Sequence, residues 1–208
     1  MSSYSRGVST REIIGSYGEI EHISPERTYW YSDKALVSDY DSEWIEERWV
    51  QVAESEATLV SSLCESGNHA PALDIDIPAE LEQLSIPGYC MLTIDKPIKY
   101  APYVELLGIM ESIGLVPPGH ARKLIAETPS ARKDQFISRF IVGMEAFAEL
   151  VPSSTPGHSH LYIDTEMPWK DYRWFLKSLA RAGIIEEGFY RASVEREQTM
   201  LRKPGIYK

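Results

Sequence analysis

Shifting the chain by 69 residues lays Ala79–Arg122 on Ala148–Arg191 without a gap, and 14 of the 44 aligned positions are identical. An internal repeat constrains a fold more than any local pattern, because both copies must adopt the same unit and bury matching faces. PAELEQLSIPGYCMLTID faces FAELVPSSTPGHSHLYID, and the identities include Pro87/Pro156, Gly88/Gly157, Asp95/Asp164, Tyr103/Tyr172 and Gly114/Gly183. Each copy reads as a proline-glycine turn, a strand (Tyr89–Ile94; His158–Ile163) and a helix (Tyr100–Ile113; Pro168–Ala182). Gly114 or Gly183 ends the helix. An arginine-bearing segment (Arg122–Ala126; Tyr190–Val194) completes each copy as an extended piece. The expectation is an α+β protein. Its duplicated β-α-β units form a ferredoxin-like or RNA-recognition-motif-like antiparallel sheet with added helices.

Around this core, residues 1–70 are expected to be an N-terminal extension, with a short strand at Thr28–Tyr31 and fraying first residues. Ile45, Trp49, Val52, Val60 and Leu63 recur at helical spacing between Ser42 and Gly67 and predict a long amphipathic helix, Glu43–Ser66. The duplicated core spans 71–208. Between its copies, Phe136, Ile137, Phe140, Ile141, Met144 and Phe147 predict a helical insert over 128–147.

ALDIDIP, residues 72–78, alternates Leu73, Ile75 and Ile77 with Asp74 and Asp76. Alternation with period two marks a strand with both carboxylates on one face, about 6–7 Å apart. Hard divalent cations such as Mg²⁺ or Mn²⁺ take such oxygen ligands and bridge to phosphates. In SSTPGHSHLYID, Ser154, Thr155 and Gly157 make a turn whose N–H groups suit an anion. His158 and His160 then share one strand face, where an imidazole hydrogen-bonds phosphate or moves a proton near neutral pH. The first copy has Tyr89 and Met91 at these places, so the fold itself does not require histidine there.

The chain carries a net charge of −10, unsuited to coating nucleic acid indiscriminately. Its last fifth, Pro168–Lys208, carries +4 against −14 for the rest. Arg191 and Arg202 in that basic stretch are candidates for pairing with phosphate oxygens. Cys64 and Cys90 show no CxxC spacing and are read as core, which excludes a thiolate zinc site or disulfide framework. No apolar run is long enough to span a membrane and no apolar signal core opens the chain, so a cytoplasmic location is expected.

LDID at 73–76, STPGHSHLY at 154–162 and LRKPGIYK at 201–208 occur in this order. Together they resemble the archaeo-eukaryotic primase superfamily, which includes the primase-polymerases. Its members carry a hydrophobic-Asp-hydrophobic-Asp strand, a Ser/Thr–Gly–His strand and a third acid, and small viral members add an Arg–x–Pro–Gly segment near the end. The resemblance implies metal-dependent nucleotidyl transfer, with Asp74 and Asp76 on Mg²⁺ or Mn²⁺ and His160 on the nucleotide phosphates. Glu195 and Asp164 stand as alternatives for the third acid. The implied partners are a nucleotide or nucleic acid, together with replication proteins. A second reading is an inactive regulatory module on the same scaffold, binding a nucleotide, a nucleic acid or a host protein. A two-histidine phosphoesterase needs a histidine motif in each copy, and GYCMLTID has none.

Overall fold

The computed structural model describes residues 22–39, 42–127, 135–153 and 156–203. Strands β1 (Arg27–Asp39) and β2 (Ser42–Gln51) are followed by a 3-10 turn (Glu54–Glu56) and β3 (Leu59–Cys64). The first copy is led by β4 (Ala72–Ile75) and continues through β5 (Ala79–Gln83), β6 (Cys90–Ile94), β7 (Ile98–Lys99), α1 (Tyr100–Ser112) and α2 (His120–Glu127). After β8 (Phe136–Ile137), the second copy is led by β9 (Phe140–Met144). It continues through β10 (Ala148–Pro152), β11 (Ser159–Ile163), α3 (Trp169–Ala182) and α4 (Glu187–Arg196), and β12 (Met200–Arg202) follows. No described helix is long and apolar enough to cross a membrane.

Apart from β7, which pairs with β8 and has no counterpart in the second copy, the matched segments take the same elements in the same order, and β5/β10 and β6/β11 coincide residue for residue at the offset of 69. The unit that the two copies share is, however, three strands followed by two helices, not β-α-β. The segments expected to be extended, Arg122–Ala126 and Tyr190–Val194, lie inside α2 and α4. HARKLIAE is rich in good helix formers and enters from a Pro-Pro-Gly turn, so local propensity prevails there.

The sheets also differ from the single ferredoxin-like sheet expected. The strands shared by the two copies form two antiparallel three-stranded sheets, β10-β11-β4 and β5-β6-β9, beside the short pair β7-β8. Each leading strand sits in the other copy's sheet: β4 pairs with β11, and β9 pairs with β6. The registers correspond, since His160↔Asp74 in one sheet falls on Met91↔Gly143 in the other. The sheets meet near β5 and β10, where Gln83 Nε2 donates to the Ala148 carbonyl at 2.8 Å.

The main core lies between these sheets and helices α1 and α3. Leu73, Ile75, Leu92, Ile94, Phe140, Leu161, Ile163, Phe175 and Leu179 all belong to it. Each such fully buried side chain contributes about 1.5–3 kcal/mol. Helix α3 closes on Gly183 at φ 70°, with Ile184 N–H bonding back to the Leu179 carbonyl at 2.9 Å. Gly114, at φ 80°, and Leu115 N–H on the Met110 carbonyl repeat that ending in the first copy. Glycine is required there because a side chain strains the left-handed conformation.

Two further expectations are corrected. The span expected to be one long helix, Glu43–Ser66, is instead strand β2, the 3-10 turn and strand β3. WIEERWVQ is rich in aromatic and β-branched residues, and ten register positions with β1 outweigh an apparent helical period. The insert over 128–147 is β8 and β9 where it is described; 128–134 lie outside the described residues. Phe140 and Met144 are spaced for a helix but equally for a strand, and the burial of Val142 between them, with Ile141 exposed, follows period two. The short strand at Thr28–Tyr31 lies within the longer β1.

The four-stranded sheet β12-β3-β1-β2 covers the other side of β4 and β11 through a smaller cluster of Val60, Ala72, Tyr162 and Leu201. Beneath it runs a buried polar seam. Tyr172 Oη reaches Thr199 Oγ1 at 2.8 Å, accepts from Ala72 N–H at 3.1 Å and donates to the Ala72 carbonyl at 3.2 Å. His69 lies against Tyr172 with its Nδ1 3.3 Å from Ser62 Oγ. These bonds anchor the start of β4, and so the strand that carries the acidic pair.

Candidate metal centre

Leu73 and Ile75 are buried in the main core, which leaves Asp74 and Asp76 on the opposite face of β4 and its end, both partly exposed. Antiparallel pairing sets Ser159 opposite Ile75 and His160 opposite Asp74. The same register brings His158, just before β11, to Asp76. His158 Nδ1 lies 2.5 Å from Asp76 Oδ1, and His160 Nε2 lies 3.8 Å from Asp74 Oδ1. One ligand atom from each of Asp74, Asp76 and His158 falls within 4.8 Å of the others, close enough for small side-chain adjustments to place all three on one cation.

Electrostatics set the members apart. Burial pushes the Asp74 carboxyl up to about 6; Asp76 and Glu186 add to the rise and His158 opposes it. Burial also lowers the pKa of His160, helped by the positive charge of Arg202 and opposed by Asp76. The His160 side chain is 9% exposed against 33% for His158, so His158 is the imidazole that a ligand meets. His160 backs Asp74 from the seam, with its Nδ1 buried and lacking a hydrogen-bond partner among the described residues.

The donor set fits a divalent ion. Two carboxylates suit Mg²⁺, Ca²⁺ or Mn²⁺, whereas the imidazole favours softer ions, so Mn²⁺ suits the mixed set better than Mg²⁺. Asp74, Asp76, His158 and His160 thus share one corner, and the electrostatic influence of Arg202 reaches it. Gly157, at φ 81°, makes the turn into His158. Gly157, His158 and Ser159 border an open cleft of about 320 Å³ whose far side carries Glu80, Thr93 and Asp95. Ser154 and Thr155, the rest of the expected anion turn, lie outside the described residues, as do residues 204–208 of LRKPGIYK.

Other candidates are placed elsewhere. Arg191 is exposed on α4, paired with Glu187 at 3.1 Å. Asp164 is engaged by His22 at 2.8 Å, Ser24 at 3.1 Å and Arg27 at 3.6 Å, and so pins the residues before β1 to the end of β11. Glu195 is exposed on α4. The acid that acts on Asp74 besides Asp76 is Glu186, at the start of α4, which sequence reasoning did not single out. Nothing in EEGFYR distinguishes it from any acid ahead of a helix. Only the packing of α4 brings it near β4. Compared with protein-family models, curated proteins and solved structures, the chain has no match.

Proposed function

We propose that Asp74, Asp76 and His158 hold a divalent cation and that the protein uses it on a nucleotide, in the manner of a primase-polymerase-like nucleotidyltransferase. The observation that carries this reading is the convergence of those three ligand atoms, within 4.8 Å, beside a cleft wide enough for a small molecule. A cation bound there neutralises phosphate charge and lowers the pKa of a coordinated hydroxyl. The chain's own residues supply the rest. Asp74 and Asp76 are the anionic ligands, His158 completes the set, and His160 positions Asp74 from behind. Arg202 adds positive charge on the seam side. The duplicated scaffold serves as a support that holds β4 against β11. Calorimetric titration with Mn²⁺, followed by metal-dependent incorporation of labelled nucleotides onto a primer, tests the reading. Binding and incorporation both disappear in Asp74→Asn; a wild-type protein inert in both assays defeats it.

A second reading keeps the metal site and drops the transfer. It is favoured by Asp164, one of two candidates for a third metal carboxylate, being committed to His22, Ser24 and Arg27. The protein is then a regulatory module that binds nucleotide, nucleic acid, replication proteins or a host protein. Thermal stabilisation by Mn²⁺ and nucleotide together, without incorporation, selects this second reading.

A further inference from the structure

Helix α3 shows solvent a face that its counterpart α1 lacks. Lys170, Arg173, Trp174, Lys177 and Arg181 are all exposed, while Tyr172, Phe175, Leu176 and Leu179 on the other side enter the core. Their spacing of three and four residues puts the exposed five on one stripe, about 16 Å long at helical rise. Trp174 is 49% exposed, and Lys170 Nζ lies 5.3 Å from its ring centroid. Arg181 is tied to Glu105 at 2.7 Å, whereas Arg173 and Lys177 make no ion pair among the described residues.

The repeat supplies a control for this stripe. At the same offset, α1 carries Ala101, Val104, Glu105, Gly108 and Ser112, while its buried positions Tyr103, Leu106, Leu107 and Met110 match those of α3. The architecture therefore needs neither the indole nor the cations of Lys170, Arg173 and Lys177, whereas Arg181 ties α3 to α1 through Glu105. A protein of net charge −10 that gathers four cations and a half-exposed tryptophan on one helix face presents a surface for a polyanion with planar groups.

We propose that this face of α3 docks single-stranded nucleic acid, with Lys170, Arg173 and Lys177 on successive phosphates and a base stacked on Trp174. Guanidinium and ammonium groups pair with phosphate, and an exposed indole stacks any unpaired base. A duplex offers the phosphates but not the free ring faces. The inference needs no metal and stands apart from the reading of the Asp74 corner.

Fluorescence anisotropy of a labelled oligothymidylate, measured in EDTA over a salt series, tests it. The expected result is binding whose logarithm falls against log salt with a slope of about −2, as three phosphate contacts on a single strand require. Lys170→Glu, Arg173→Glu and Lys177→Glu combined weaken binding more than about tenfold. Trp174→Ala weakens it about fivefold, and Trp174→Phe restores most of the loss. Lys99→Glu, at the start of α1, leaves it unchanged. All variants keep the wild-type circular dichroism. Absence of wild-type binding at low salt overturns the proposal, as does a triple variant that binds like wild type. Polyglutamate binding as tightly as the oligonucleotide, indifferent to Trp174→Ala, assigns the face to an acidic protein and also overturns it.

Discussion

The corner where β4 meets β11 and the corner where β9 meets β6 are built on the same backbone register, yet they hold different chemistry. In the first, Asp74, Asp76, His158 and His160 meet. In the second, the residues at the same offset are Gly143, Glu145, Tyr89 and Met91, and the Tyr89 phenol donates to the Glu145 carboxylate. A polar bridge between the leading strand and the hairpin thus recurs in both copies. The second corner joins a phenol to one acid; the first joins an imidazole to one of two acids and is buried enough to raise Asp74. The difference teaches that the bridge belongs to the architecture, whereas the second carboxylate and the imidazoles are an addition to it.

If the two copies share one core, matched truncations carry matched penalties. Ile94→Ala and Ile163→Ala, both fully buried and equivalent by offset, each lower unfolding free energy by about 2–5 kcal/mol in chemical denaturation. A large inequality between them breaks the equivalence of the copies.

Acid separates the seam from the corner. Burial lowers the pKa of His69 from 6.5 to about 4, so the native protein resists a proton that the unfolded chain accepts. Stability is lost as pH falls from 6.5 toward 4, by up to about 3 kcal/mol. Asp74 acts with the opposite sign. Its folded value near 6 lies above the ordinary 3.8, so protonation favours the native state and stability rises as pH falls through that window. In His69→Phe the acid-side loss shrinks and the Asp74 gain shows in thermal melts between pH 7 and 5; Asp74→Asn removes that gain.

Metal binding sharpens the contrast next. Asp76→Asn weakens Mn²⁺ at least about tenfold in calorimetric titration, since removing even an outer partner of a metal site costs that much. Glu145→Gln, its counterpart, leaves Mn²⁺ unaffected. Wild-type affinity itself declines several-fold below pH 6 as Asp74 takes up its proton, because a ligand must be deprotonated to bind.

The smallest effect concerns the bridges alone. His158→Phe and Tyr89→Phe each remove one partly exposed hydrogen bond to a carboxylate and cost about 1 kcal/mol of stability. Equal losses identify the bridges as structural equivalents, and only His158→Phe also abolishes the metal.

The repeat, the strands β6 and β11, the first helix of each copy and the glycines that end those helices were legible in the residues, because identity at a constant offset and period-two or helical spacing are local signals; the first hairpin strands, β5 and β10, were not. So was the strand that carries Asp74 and Asp76. Illegible were the segments whose spacing served two structures. Phe140 and Met144 suited a helix or a strand until pairing with β6 chose, and the residues from Glu43 to Ser66 became strands because β1 and β12 offered partners. The exchange of leading strands between the copies was equally hidden, since sequence order says nothing about which hairpin a strand joins. By itself the sequence determined that two alike units exist and that two acids and two imidazoles stand on strand faces. Tertiary structure alone decided that they meet, with His158 outward and His160 buried, because that depends on β4 pairing with β11 across more than eighty residues of chain.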